Sequence, residues 1–326
     1  MSGTDRTILV TGAAGFIGSH VAGALAARGD RVIGIDNFDP FYDRRLKQAN
    51  LDAVARGPGA ARFTFVECDF CDRPALDRVL REHGVSSIIH LGARAGVRPS
   101  VEQPALYARV NVEGTSNVLE AARAAGTVRR IVMASSSSVY GLNARVPFSE
   151  SDEVAAPISP YAATKRACEL LCHVHHHLYG TPVACLRFFT VFGERQRPDL
   201  AIAHFLGKVA RGEQIVMYGS ADTSRDYTYI GDIVAGVLAA HDRIDTHGYR
   251  IWNLGGNHPV SLGDMIETIG RVVGRQPVIE RAPARPGDVE RTFADLSRSS
   301  AELGYVPRTA FEEGVRRQWA WMQSNP

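Results

Sequence analysis

The segment from Thr7 to Gly18, TILVTGAAGFIG, sets the strongest limit on how this chain can fold. A run of apolar and β-branched residues passes directly into Gly12, Gly15 and Gly18, spaced three apart. Gly12 permits a tight turn, Gly15 lets a phosphate approach the backbone, and Gly18 lets the following helix pack closely on the strand. Ala14, Phe16 and Ile17 complete the loop and the first helical turn, whose free N–H groups and positive dipole end suit a pyrophosphate. Asp36 closes the second apolar run, eighteen residues after Gly18. A carboxylate there accepts hydrogen bonds from an adenosine ribose and repels a 2′-phosphate, so the cofactor expected is NAD and not NADP.

Short runs rich in Val and Ile recur at residues 8–10, 32–35, 63–66, 88–90, 131–134 and 183–186, separated by longer amphipathic stretches. Buried strands alternating with helices make a Rossmann-like, doubly wound α/β domain with a parallel sheet, placed at residues 1–189. Beyond Phe189, Pro and Gly become more frequent, and helices over 200–211 and 261–273 sit among short extended pieces. Residues 190–326 therefore read as mainly a smaller C-terminal substrate-binding lobe, with 232–256 returning to the first sheet. The 37 basic and 35 acidic residues leave a net charge of +2, so no global field points to nucleic acid or an anionic membrane. No apolar run reaches the span of a bilayer, and the N-terminus lacks a signal-peptide core. Five cysteines, sparse and odd in number, are expected to be reduced thiols in a cytoplasmic protein.

A second constellation lies further along. Ser159 and Pro160 suit the cap and first position of a helix that carries Tyr161 and Lys165 on one face. A lysine ammonium beside a phenol favours the phenolate, as would the positive nicotinamide ring of NAD⁺, which makes Tyr161 a usable acid and base near neutral pH. Upstream, the run over 131–134 ends in Ser135, Ser136, Ser137 and Ser138, followed by Val139, Tyr140 and Gly141. Parallel α/β sheets present ligands at the carboxyl ends of their strands, so these hydroxyls are expected to face the crevice that holds the nicotinamide.

Together with Asp69, Arg187 to Gly193 (RFFTVFG), Ser224 to Tyr227 (SRDY) and Arg285 to Asp288 (RPGD), these motifs resemble the sugar-nucleotide epimerase/dehydratase group of extended short-chain dehydrogenases/reductases, over essentially the whole chain. The resemblance implies an enzyme that holds NAD tightly and acts on a UDP-sugar. It implies that Asn37, Asp69 and Phe70 border the adenosine, that Leu91, Gly92 and Ala93 lie beside the cofactor, and that Asn111 sits near the catalytic tyrosine. Ser136 would hydrogen-bond the reacting 4-hydroxyl, Arg225 would bind the substrate pyrophosphate, and Arg285 and Asp288 would hold the uridine-ribose end. Dehydratases of the group carry an Asp-Glu pair after the catalytic threonine, and decarboxylases a nearby glutamate. Ser137 and Ser138 stand there in this chain and cannot serve as carboxylates. The implied reaction is 4-epimerisation: Tyr161 takes the 4-hydroxyl proton, NAD⁺ takes the C4 hydride, and the 4-keto sugar turns over before the hydride returns. Two positions depart from the group, Gly92 where alanine is usual and Gly231 where aspartate is usual.

Ala95 to Arg98 (AGVR), the stretch after Asp36, Thr190 and Arg197 are similar to UDP-glucuronate 4-epimerases. Arg197 is either a bidentate partner for a uronate carboxylate or a surface ion-pair partner of Asp199 or Glu194. Holding that carboxylate with Ser137, Ser138, Thr190 and Arg197 would suppress loss of CO₂ from the 4-keto sugar. UDP-glucose and UDP-N-acetylglucosamine remain alternative substrates, the latter because Thr292 is small where a tyrosine narrows the pocket in some galactose-type enzymes. A decarboxylase, a dehydratase or a non-catalytic NAD-binding protein is the more distant alternative. No metal is expected, since His173, His175, His176 and His177 lie on the Tyr161 helix with no carboxylate or thiolate cluster to complete a site. Cys68 and Cys71 read as reduced and non-catalytic. The apolar faces of 112–125 and 168–178 are expected to pair with a second copy, because the resembled family often forms homodimers through a four-helix bundle.

Overall fold

Strand β1 (Thr7–Thr11) is buried along its whole length, and β2 (Arg31–Asp36) after its first residue. Runs without polar alternation are what a sheet covered on both faces requires. The computed structural model describes residues 6–283 and 289–325 of the chain. Strands β3 (Phe63–Glu67), β4 (Ser87–His90), β5 (Arg130–Ser136) and β6 (Val183–Phe188) join the first two, and Tyr249–Leu254 adds a seventh. The order across the sheet is Tyr249–Leu254, β6, β5, β4, β1, β2, β3. The pairs β1–β2, β2–β3, β1–β4 and β4–β5 run parallel. The strand order reverses between β1 and β4, so a crevice opens at their carboxyl ends, where sheets of this type bind ligands.

The helix Phe16–Arg28 starts at the glycine loop and stops at Gly29, whose φ of 100° is left-handed. The helix Pro160–Tyr179 starts where Ser159 accepts the Ala162 N–H, with Pro160 in the first position, and ends at Gly180. Residues 104–125 are continuously helical, with a π-helical stretch at Ala108–Glu113. Such a stretch shifts the register of side chains around a helix and recurs at functional positions.

The chain divides into two compact units. One comprises Met1–Gly141, Glu153–Arg187 and Val234–Trp252; the other comprises Leu142–Asp152, Phe188–Ile233 and Asn253–Pro326. The second unit holds a three-stranded sheet in the order Pro259–Ser261, Ser224–Tyr229, Thr190–Phe192, and a pair of strands, Ile279–Ala282 and Ile215–Tyr218. Asp226 stitches this unit together: Oδ1 accepts from Gly256 N at 2.6 Å and Oδ2 from Ala294 N at 2.9 Å. Among the described residues no helix is long and apolar enough to cross a membrane.

His90, at the end of β4, is buried between two hydroxyls, with Thr11 Oγ1 2.7 Å from Nδ1 and Thr115 Oγ1 3.1 Å from Nε2. Burial first, and the charge of Lys165 second, push its pKa from 6.5 down to about 3. Between those values the folded chain binds fewer protons than the unfolded one, so stability rises with pH and is lost as pH falls below 6.5. Denaturant unfolding at pH 7, 6 and 5 is expected to show this residue costing up to about 1.4 kcal/mol for each unit below its unfolded pKa. His90→Gln should flatten the slope, and equal slopes in the two proteins would refute the assignment.

Candidate active site

Three elements of the first unit build a cradle without side chains. Gly12 has φ +69°, and an ideal Cβ placed on it would lie 2.8 Å from Gly92 Cα. A Cβ on Gly15 would press to 3.1 Å of Gly12 O, and one on Gly18 would overlap the same carbonyl. The helix that follows begins at Gly15 with no side-chain cap, which leaves its first N–H groups for a ligand. At the end of β2, Asp36 Oδ2 accepts from Ala14 N at 3.3 Å and Oδ1 from Phe38 N at 2.8 Å. Asn37 Nδ2 donates to Asp69 Oδ2 at 3.0 Å, which joins the ends of β2 and β3. Phe16 is buried, Ile17 is half-buried, and Leu91 and Ala93 flank Gly92 as half-buried residues past β4. An open backbone turn, an uncapped helix start and a carboxylate at the end of β2 fit a dinucleotide such as NAD.

The helix that carries Tyr161 and Lys165 packs along β5 and the turn Ser137–Tyr140. Lys165 is buried, and its Nζ donates to Ala134 O at 2.7 Å. Tyr161 is half-buried, its ring edge-on to Tyr107 at 6.2 Å, while Tyr107 donates its own hydroxyl to Ala95 O at 3.1 Å. Asn111, inside the π-helical stretch, clamps both neighbours. Its Oδ1 accepts from Arg94 N at 2.8 Å, and its Nδ2 donates to Arg94 O and Thr164 Oγ1, each at 3.0 Å. Thr164 in turn donates to Tyr161 O at 2.8 Å, so Asn111 is one residue removed from the tyrosine backbone. Ser136 Oγ accepts from Ser138 N at 3.2 Å and from Ser138 Oγ at 2.9 Å. Accepting twice, it directs its own proton elsewhere.

The remaining sequence-derived positions lie in the second unit. Thr190 is half-buried and pairs in register with Tyr227. Arg197 forks onto Asp199, with Nε 3.0 Å from Oδ1 and Nη2 2.9 Å from Oδ2, the ion pair read as one of its two roles. Arg225 Nη1 donates to Ser224 O at 3.0 Å. Thr292 Oγ1 accepts the Asp226 N–H at 3.1 Å. Arg285 and Asp288 lie outside the described residues. The histidines on the Tyr161 helix diverge: His173 stacks edge-on to Tyr249, His175 to Tyr179, and His176 Nδ1 lies 2.9 Å from Thr181 O. Among the described residues no group of three His, Cys, Asp or Glu could hold a metal ion. Burial pushes the Cys68 thiol up to about 11 and the Cys71 thiol up to about 12, so both are protonated near neutrality.

The model of the GDP-mannose 4,6 dehydratase family matches residues 9–318. The chain belongs to this family. A relative named UDP-glucuronate 4-epimerase 4, from Arabidopsis thaliana, is 40% identical over 98% of this chain and 75% of its own length. An uncharacterised protein of Methanocaldococcus jannaschii is 43% identical over 98% of this chain and 97% of its own. The crystal structure of UDP-glucuronic acid 4-epimerase from Bacillus cereus, in complex with UDP-glucuronic acid and NAD, is 32% identical and superposes with a TM-score of 0.90 over 98% of this chain and 99% of that one.

Several residues that shape the site in this family member escaped the sequence reading. Lys47 is buried, its Nζ 3.7 Å from Asp36 Oδ1 and donating to Asp39 O at 3.0 Å. Glu169 accepts from Arg187 Nε at 2.8 Å, Arg187 Nη2 at 2.9 Å, Ser135 Oγ at 2.7 Å and Arg166 Nη1 at 3.0 Å. Burial pushes the Glu169 carboxyl up, but these donors outweigh it and hold the group below its usual value. The signal was spacing: Tyr161, Lys165 and Glu169 follow at intervals of four, which places them on one helix face. Glu169→Gln leaves a buried guanidinium uncompensated and is expected to cost about 3 kcal/mol or more in urea denaturation. Glu169→Leu combined with Arg187→Met should recover most of that stability, and a loss below ~1 kcal/mol for Glu169→Gln would contradict the role given to the pair.

Proposed function

We propose that this family member is an NAD-dependent UDP-sugar 4-epimerase whose main substrates are UDP-glucuronate and UDP-galacturonate. The observation that carries the reading is the all-hydroxyl end of β5. Ser136, Ser137 and Ser138 stand beside the catalytic helix, where elimination or decarboxylation calls for a carboxylate. The relative named UDP-glucuronate 4-epimerase 4 and the Bacillus cereus complex support the same reading.

NAD⁺, when bound, supplies a reversible hydride acceptor. Gly12, Gly15, Gly18 and the uncapped helix start would hold its diphosphate, and Asp36 would take the adenosine ribose. Lys165, fixed by the Ala134 carbonyl, lies one turn from Tyr161 on the same helix face. Tyr161 Oη removes the proton of the sugar 4-hydroxyl on the outward step and restores it on the return. Ser136, with both its acceptor sites used by Ser138, donates to the same sugar oxygen. Arg225 serves the substrate pyrophosphate, and Arg285 and Asp288 the uridine end.

A 4-keto uronate is a β-keto acid and loses CO₂ when its C5–carboxylate bond stands parallel to the π orbital of the carbonyl. Arg197 holds that bond away from this orientation; the fork that it presents to Asp199 is the one a uronate carboxylate takes. The functional unit is a cytoplasmic homodimer. Leu170, Val174 and Leu178 are 50%, 49% and 61% exposed at four-residue spacing on the catalytic helix, an apolar stripe that a second copy covers in a four-helix bundle.

Purified enzyme offered UDP-glucuronate, UDP-glucose and UDP-N-acetylglucosamine is expected to turn over the uronate best, with the C4 epimer identified by chromatography. Xylose-type products would overturn the reading. Tyr161→Phe should lower kcat by about 10²–10⁴-fold. Arg197→Ala should lower kcat/KM by about tenfold or more on the uronate while leaving neutral hexoses little changed. Val174→Glu is expected to give a monomer in analytical ultracentrifugation, whereas an unchanged mass would place the dimer contact elsewhere.

A further inference from the structure

Phe70 is a large aromatic residue seated where two neighbours lack side chains. It follows β3 by three residues, is half-buried, and meets His90 edge-on at 5.1 Å. An ideal Cβ on Gly92 would stand 2.7 Å from Phe70 Cε1. One on Gly114 would overlap Cε2 and stand 2.8 Å from Cδ2. The two edges of the ring therefore lie against two glycines from different elements, one past β4 and one inside the helical stretch over 104–125.

Neither glycine is required by its own backbone. Gly114 has φ −60° and ψ −41°, ordinary helical values, where alanine is favoured over glycine by about 1 kcal/mol. Gly92 lies outside the left-handed region as well. The ring of Phe70 is the tightest neighbour of both, followed by Thr11 Oγ1 at 3.1 Å and Gly12 N at 3.2 Å for a Cβ on Gly92 and by Cys71 Sγ at 3.1 Å for one on Gly114. The contact chain then continues inward: Gly92 N donates to Thr11 Oγ1 at 3.0 Å, and a Cβ on Gly12 would come within 2.8 Å of Gly92 Cα. Ring, Gly92 backbone and the turn at Gly12 follow one another in close contact, so a shift at one end is passed to the other.

We infer that Phe70, Gly92 and Gly114 form one interlocked socket that sets how firmly the chain retains its dinucleotide, the aromatic ring being matched to the two missing Cβ atoms. The inference rests on the glycine loop being the NAD site. A methyl group at residue 92 tilts the ring out of the socket and pushes the 91–93 backbone off Gly12. A smaller side chain at residue 70 leaves space but keeps that backbone in place. These three are positioning residues.

The test compares wild type, Gly92→Ala, Phe70→Leu and the double variant, each purified with its bound nucleotide. NAD release is followed by rapid desalting, and the thermal midpoint is measured without added cofactor. Gly92→Ala is expected to release NAD about tenfold faster or more and to melt several degrees lower, Phe70→Leu to release it faster than wild type by a smaller factor, and the double variant to return near Phe70→Leu in both readouts. A double variant no better than Gly92→Ala, or a Gly92→Ala that behaves as wild type, overturns the socket. Wild type that carries and binds no NAD, with the coupling between the two substitutions still present in the thermal midpoints, overturns instead the assignment of the loop on which the inference stands.

Discussion

The ion pair between Glu169 and Arg187 is closed to water, with side chains 0% and 1% exposed, and it ties the helix that carries Tyr161 and Lys165 to the central sheet. A buried pair of this kind adds little net stability over an apolar substitute, but losing one member is severe, because the other charge is stranded. Its value lies in direction. Glu169 sits one turn beyond Lys165 on the Tyr161 helix, Arg187 lies near the end of β6, and Ser135 at the end of β5 donates to the same carboxylate. Three elements are thus pinned to one point, immediately behind Lys165 and the serine run. The Tyr140 ring, 4.8 Å from the Arg187 guanidinium, closes the remaining side.

A second constraint acts at the crevice between β1 and β4. There the backbone of Gly12 packs on that of Gly92, and Thr11, His90 and Thr115 are joined by hydrogen bonds beneath. A charged imidazole in that row would face Lys165, which is why burial and that charge act in the same direction on His90. The crevice is therefore set by neutral, fully bonded groups below and bare backbone above, which leaves the ligand to supply the charge.

The fold was legible because its signals are local. Continuous apolar strands, three glycines and a carboxylate at the end of the second strand are written in consecutive residues, and the Ser159 cap with Pro160 marks the helix start directly. What was not legible depends on tertiary contact. Lys47 reads as a surface lysine on an amphipathic helix until the structure shows it buried over Asp36. Phe38 adopts a φ of 52°, unusual for an aromatic residue, and only the bond from its N–H to Asp36 makes sense of it. The Asn111 clamp on Arg94 and Thr164 depends on a π-helical turn that no spacing announces. Glu169 was half legible: its interval of four from Lys165 is visible, its partner Arg187 is not.

The proposed chemistry explains why the two kinds of residue are held so differently. An epimerase must return to the sugar the hydride it removed, so its cofactor has to stay in register through both half-reactions. The groups assigned to that cofactor are accordingly backbone turns and buried side chains fixed by the protein's own hydrogen bonds, such as Lys165 on Ala134 O and Asp36 on two amides. The sugar must instead be released enough to present its other face. The groups assigned to it are half-buried hydroxyls and an arginine already bonded to Asp199, contacts that can be exchanged one at a time without exposing an unpaired buried charge. A carboxylate in the serine run would break this division. It would add a base beside the acidified C5 hydrogen of the 4-keto sugar, which on a neutral hexose leads to loss of the 6-hydroxyl as water and on a uronate scrambles C5. Hydroxyls bind the intermediate without that reactivity, and this is the physical reason that the serine run, more than the Tyr161 and Lys165 pair, points to epimerisation.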